Sequence, residues 1–161
     1  MGTPEWSAPS LKRIIDSGIK ISAVFTQPDR RVGRKKQLVS SPIKQLAENC
    51  NLKVFTPENA SCKENIDTVS SLEPELILVC AYGQILSESF LKTPRLGCFN
   101  LHFSFLPKFR GASPVQTAIC SGISKTGVCL QKMIFRLDAG PIVAYSKPVN
   151  IDSDETSPKL G

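Results

Sequence analysis

Leu76-Ile77-Leu78-Val79-Cys80-Ala81 is an unbroken run of six apolar residues, with Glu75 before it and Tyr82-Gly83 after it. A short run without polar alternation fits a strand covered on both faces, and such strands belong to parallel sheets packed between helices. Upstream, residues 61–72 read as a helix and Lys53 to Phe55 as a short strand. Ser41-Pro42 opens a further helix in the favoured order, a capping side chain and then a proline at the first turn; Ile43, Leu46 and Ala47 face inward, and it ends near Cys50. Gln27 to Val39 reads as a polar loop, Ile19 to Thr26 as a strand, and Ser10 to Ser17 as a helix with Leu11, Ile14 and Ile15 on one face and Gly18 as its stop. Downstream, a short helical stretch reaches Leu91, Gly97 to Leu101 is a strand, and Ser113 to Ser121 a helix with Pro114 near its start. Thr126 to Phe135 and Pro141 to Val149 close the chain as strands. Strands alternating with helices predict an α/β domain with a mostly parallel sheet.

The ends are unusual for that architecture. Met1-Gly2-Thr3-Pro4-Glu5 is a turn feeding a helix, where an open α/β sheet normally places a first, central strand. That strand is expected to be lacking. The chain also stops soon after its last strand, at Lys159-Leu160-Gly161, so both ends read as clipped.

Composition bounds the functional classes. With 41% hydrophobic and 21% charged residues in 161, the chain has the apolar content of one globular domain, which excludes disorder. Lys and Arg number 20 against 14 Asp and Glu, a net +6 that leans towards a polyanionic partner. No apolar run has the length of a bilayer span and no secretory leader opens the chain, so a membrane protein is excluded. Six cysteines occur without a C-x-x-C, and the single histidine has no cysteine at ligand spacing. No metal site is expected, and the cysteines are read as free, buried thiols of a reducing compartment.

The stretch richest in chemistry is Asn100-Leu101-His102-Phe103-Ser104-Phe105-Leu106-Pro107-Lys108-Phe109-Arg110-Gly111. Alternation along a strand puts Asn100 and His102 on one face, at the kind of strand end where open α/β sheets bind ligands. An amide donor beside an imidazole can stabilise a developing oxyanion and assist proton transfer. On spacing alone, a histidine satisfied within the core at a strand end is a better account of that pair than catalysis.

NLHFSFLPKFRGASPVQTAI, residues 100–119, resembles the folate-dependent formyltransferase family, whose pattern is Asn-x-His-x-Ser-Leu-Leu-Pro, then a basic aromatic stretch and Gly. Within the family it is most similar to the branch acting on methionyl-tRNA. Gly2-Thr3-Pro4-Glu5, VFTQPDRRVGRKKQLVSSPIKQLA at 24–47, AYGQIL at 81–86, Thr126-Gly127-Val128 and Leu137-Asp138-Ala139-Gly140 follow in the family's order. The resemblance implies a Rossmann-like open, mostly parallel sheet of the formyltransferase type. It implies that residues 1–161 are an incomplete catalytic domain and that the family's C-terminal tRNA-binding domain is absent.

It also implies roles. Asn100, His102 and Asp138 match the catalytic trio; Phe105 stands where the family has Leu, and Phe103 where it has a small residue. Ser104, Phe105, Leu106 and Pro107 match a loop that contacts folate, and Ala81, Tyr82, Gly83 and Leu86 match the wall of the pteridine pocket. Arg34, Lys35 and Lys36, with Arg110, match the basic surface that meets the acceptor arm of tRNA; without the resemblance, Asp29 to Leu38 is a solvated charged loop. The implied reaction moves a formyl group from 10-formyltetrahydrofolate to the α-amine of initiator methionyl-tRNA through a tetrahedral intermediate. Asn100 and His102 would stabilise its oxyanion and Asp138 would assist proton transfer, with no metal. The expected setting is a monomer in the cytoplasm or an organelle matrix. Three alternatives stand beside this: a truncated inactive remnant, a folate- or RNA-binding fragment, and a folate-dependent formyltransferase acting on a sugar nucleotide. A glycinamide-ribonucleotide type would need a Gly-rich phosphate cradle where Gly2-Thr3-Pro4-Glu5 stands, and Pro4 has no N–H to give.

Overall fold

The structure, a computed structural model, describes residues 1–33 and 36–160, with Val32 defined by its backbone alone. A 3-10 turn at Glu5–Ser7 leads into α1 (Ala8–Asp16). Then come β1 (Val24–Phe25), β2 (Arg30–Val32), β3 (Gln37–Val39), α2 (Pro42–Asn49), β4 (Val54–Phe55), α3 (Lys63–Ser71) and β5 (Ile77–Val79). The second half holds α4 (Glu88–Leu91), β6 (Cys98–His102), α5 (Pro114–Cys120), β7 (Lys125–Thr126), β8 (Cys129–Lys132), β9 (Ile142–Tyr145), β10 (Val149–Asn150) and α6 (Ser157–Leu160).

The pairings define the sheet. β4 lies parallel to β1, and β5 parallel to β6, while β6, β8 and β9 run antiparallel in turn. Met1 and Gly2 join the two parallel pairs: Gly2 forms a parallel bridge to Cys80, and its N–H donates to the Phe25 carbonyl at 3.1 Å. The sheet is thus parallel through its first half and antiparallel beyond β6. Consecutive strand residues face opposite layers. Val24 packs with Ile43 and Ala47 of α2 and with Leu11 of α1, whereas Phe25 packs with Val69 of α3 and Phe90 of α4.

Met1 and Gly2 border a cleft of about 660 Å³, lined among others by Leu11, Ile21, Ala23, Leu76 and Phe90. The strand predicted over Ile19 to Thr26 shrinks to Val24–Phe25: ladder bonds need a partner, and among the described residues no strand pairs with residues 19–23, which border the cleft.

The charged stretch predicted as a loop is instead an antiparallel hairpin, β2–β3, in register Arg30↔Val39 to Val32↔Gln37. Its base is fixed to α2. Ser41 caps the helix by accepting from Lys44 N–H at 3.0 Å, and the Lys44 ammonium reaches Asp29 at 2.8 Å. That hydrogen bond raises the Lys44 pKa and lowers that of Asp29. Among the described residues no helix is long and apolar enough to cross a membrane. All six cysteines are free; Cys80, Cys98 and Cys129 are buried, and Cys120 is exposed, against the expectation that the thiols are buried. Cys120 ends α5, whose inward residues are Pro114 and Ala118, so its own position faces solvent.

Candidate active site

β6 carries Asn100 and His102 on one face, and the antiparallel register sets Gln131 opposite Asn100 and Cys129 opposite His102. Directly opposed residues share a face, so these four side chains stand together. His102, Cys129 and Gln131 are buried, and Asn100 is half-buried. Burial raises the Cys129 pKa, with the Asp138 charge adding to the effect, which keeps that thiol neutral.

The loop after β6 folds back over this face. Ser104 Oγ donates to the Lys108 carbonyl at 2.7 Å, and Tyr145 of β9 donates its hydroxyl to the Leu106 carbonyl at 3.2 Å. The Phe105 ring meets Tyr145 edge-on at 5.7 Å and covers Gly127, where any Cβ would overlap it. The extra bulk of Phe105 is accommodated because residue 127 has no side chain. Phe109 and Gly111 take left-handed backbone angles of 57° and 106°. That turn brings the Phe109 carbonyl to His102 Nε2 at 2.9 Å.

Asp138 enters from the turn between β8 and β9, also left-handed at φ 46°, a conformation Asp tolerates better than most residues. Its Oδ2 accepts from Gly111 N–H at 2.8 Å, its Oδ1 accepts from Gln131 Nε2 at 2.8 Å, and its carbonyl accepts from Arg110 Nε at 2.9 Å. Asp138 Oδ1 stands 3.7 Å from His102 Nδ1, too long for a hydrogen bond and a charge pair only when the ring is protonated. Because Nε2–H is given to Phe109, the neutral ring turns its lone pair to Asp138, and the protonated ring would turn an N–H there.

The structure therefore brings Asn100, His102, Asp138 and Arg110 to one place. Of the predicted folate loop, Ser104 and Leu106 are buried, Phe105 is half-buried and Pro107 is exposed. Of the predicted pteridine wall, Tyr82 and Leu86 point into the core cluster with Phe25 and Phe90, and Gly83 is exposed. Ala81 and Gly83 are both left-handed, at φ 48° and 86°, and the Tyr82 carbonyl is held by Thr3 Oγ1 at 2.8 Å and by Gln27 Nε2 at 3.2 Å. Burial pushes the Tyr82 hydroxyl up to about 12. Lys36 is exposed at the hairpin turn, while Arg34 and Lys35 lie outside the described residues.

Gln131, the Gly111 N–H and the Phe109 carbonyl were not found by sequence reasoning. Gln131 alone left a trace there, as the one uncharged polar residue amid Cys129-Leu130-Gln131, on the same alternation as Cys129.

The formyl transferase family model matches residues 1–161. The chain is 42% identical over 160 residues to a methionyl-tRNA formyltransferase of Thermotoga maritima, covering 99% of this chain and 51% of that protein. It is 45% identical over 160 residues to one of Clostridioides difficile, covering 99% and 52%. The chain thus spans about half the length of the curated relatives it matches. Among solved structures, a phosphoribosylglycinamide formyltransferase from Bacillus halodurans superimposes with a TM-score of 0.79 at 16% identity, covering 99% of this chain and 82% of that one. At that identity the likeness speaks to the fold.

Proposed function

The chain belongs to the formyl transferase family, and from that premise we propose that it transfers a formyl group from 10-formyltetrahydrofolate to the α-amine of initiator methionyl-tRNA. The observation that carries the reading is the convergence of Asn100, His102 and Asp138 at one end of the sheet. An amide, an imidazole and a carboxylate fit acyl transfer between two bound substrates. The one thiol on that face, Cys129, is kept neutral by burial and is a poor nucleophile.

The bound folate supplies an electrophilic formyl carbon attached to a nitrogen leaving group. Asn100 donates a hydrogen bond to the formyl oxygen as negative charge collects there. His102 adds a second, charge-assisted donor through Nε2 once the Phe109 carbonyl releases it, which requires the 104–111 loop to shift. Asp138 faces Nδ1 from 3.7 Å, beside the path by which a proton passes from the attacking amine to the leaving nitrogen. Folate would lie along Ala81 to Leu86, where Gly83 leaves bare backbone, and against Ser104 to Pro107. The β2–β3 hairpin, with Arg30, Arg31 and Lys36 exposed, supplies cations for tRNA phosphates, together with Arg110. Arg34 and Lys35 belong to the same proposed surface.

The test is formyl transfer from 10-formyltetrahydrofolate to methionyl-tRNA and, separately, to an amino-sugar nucleotide, at low and moderate salt. Transfer to methionyl-tRNA that weakens as salt rises is expected. Transfer to the sugar nucleotide alone, or to neither acceptor by a folded chain, would contradict the reading.

A further inference from the structure

We propose that Gln131 is a positioning residue of this site, holding the Asp138 carboxylate in place beside the His102 ring. The inference rests on the reading of Asn100, His102 and Asp138 given above and adds a fourth side chain to it.

Gln131 lies on β8 directly across from Asn100, on the face that also carries His102 and Cys129. It sits beside a register shift between β8 and β9, a local irregularity of the kind that re-aims a side chain. Only 2% of Gln131 is exposed, so its carboxamide has left water almost completely. Its Nε2 donates to Asp138 Oδ1 at 2.8 Å. An ionised carboxylate can only accept, so the NH2 end must face Asp138, and this fixes the orientation of the whole amide.

The other end of the amide is informative. Gln131 Oε1 is buried without a hydrogen-bond partner. A buried, half-satisfied amide is a poor way to stabilise a strand, since leaving a polar atom unpaired costs about 1–3 kcal/mol and an apolar side chain would avoid it. The bond to Asp138 is what Gln131 contributes in return. Asp138 is pinned at three points: Oδ2 by Gly111 N–H, its carbonyl by Arg110 Nε, and Oδ1 by Gln131. His102 Nδ1 also faces Oδ1 at 3.7 Å, too far to hold it by hydrogen bonding. Without Gln131 the carboxylate is free to turn about its Gly111 bond and to move away from the imidazole.

The sequence has one histidine, so the 15N ring signals of His102 can be read without assignment ambiguity. The experiment compares those signals in the unsubstituted chain, in Gln131→Met, which keeps the volume but cannot donate, and in Asp138→Asn. Kinetics of the same proteins are measured with folate and acceptor varied separately. Gln131→Met is expected to move the ring signals in the direction of Asp138→Asn. Its kcat should fall on the order of tenfold, the usual cost of losing a group that orients another, with the KM for folate little changed. Gln131→Glu, which places a second carboxylate against Asp138, should lose more. Ring signals in Gln131→Met that match those of the unsubstituted chain overturn the proposal whatever the kinetics. Should the unsubstituted chain show no transfer, the ring signals still decide on Gln131, and the reading of function fails separately.

Discussion

Cys98 and Cys120 show how far position within an element decides the chemistry of one residue type. Cys98 is 1% exposed at the start of β6, and burial pushes its thiol up to about 12. Cys120 is exposed at the end of α5. Since the thiolate is the reactive form, a disulfide reagent near pH 8 should label Cys120 quickly and leave Cys80, Cys98 and Cys129 untouched until denaturant is added. Labelling followed by mass spectrometry checks this; modification of Cys98 at the rate of Cys120 in the folded chain would contradict the packing of the core. At the same scale, the relation of Asn100 to His102 was legible from strand alternation alone. The bond between His102 Nε2 and the Phe109 carbonyl was not, because it depends on left-handed turns at Phe109 and Gly111 that neither hydrophobic pattern nor spacing encodes.

Between β8 and β9, the turn bearing Asp138 depends on Gly140. A Cβ at Gly140 would collide with the Lys132 backbone carbonyl, which belongs to β8 and cannot swing aside as a side chain could. Gly140→Ala is therefore expected to cost about 1–3 kcal/mol, the usual range for overpacking. It should also lower the transfer rate by moving Asp138. A urea unfolding midpoint and rate both equal to those of the unsubstituted chain would show that the turn has room to spare. Element by element, the sequence was most legible where apolar runs are short and bounded, as at Leu76 to Ala81, which holds β5. It was least legible where an element depends on its neighbours. Residues 19–23 have the composition of a strand, but strand assignment needs a partner, and among the described residues no strand pairs with them. The paired residues of the β2–β3 hairpin, Arg30 to Val32 and Gln37 to Val39, show no alternation to betray it. Gln131 was missed for a related reason: a polar residue in a strand reads as solvent-facing until register shows which face is covered.

Across the whole molecule, the two parallel strand pairs are tied together by the Gly2 bridge to Cys80, by the Gln27 and Thr3 side chains on the Tyr82 carbonyl, and by the shared core that holds Phe25 and Val79. Formyl transfer at the end of β6 is tested by the single-turnover rate from 10-formyltetrahydrofolate to methionyl-tRNA, measured for the chain and for Asn100→Ala, with both shown to be folded by circular dichroism. The account predicts a loss on the order of a hundredfold or more in Asn100→Ala, as for removal of one oxyanion donor; equal rates in the two proteins would contradict it.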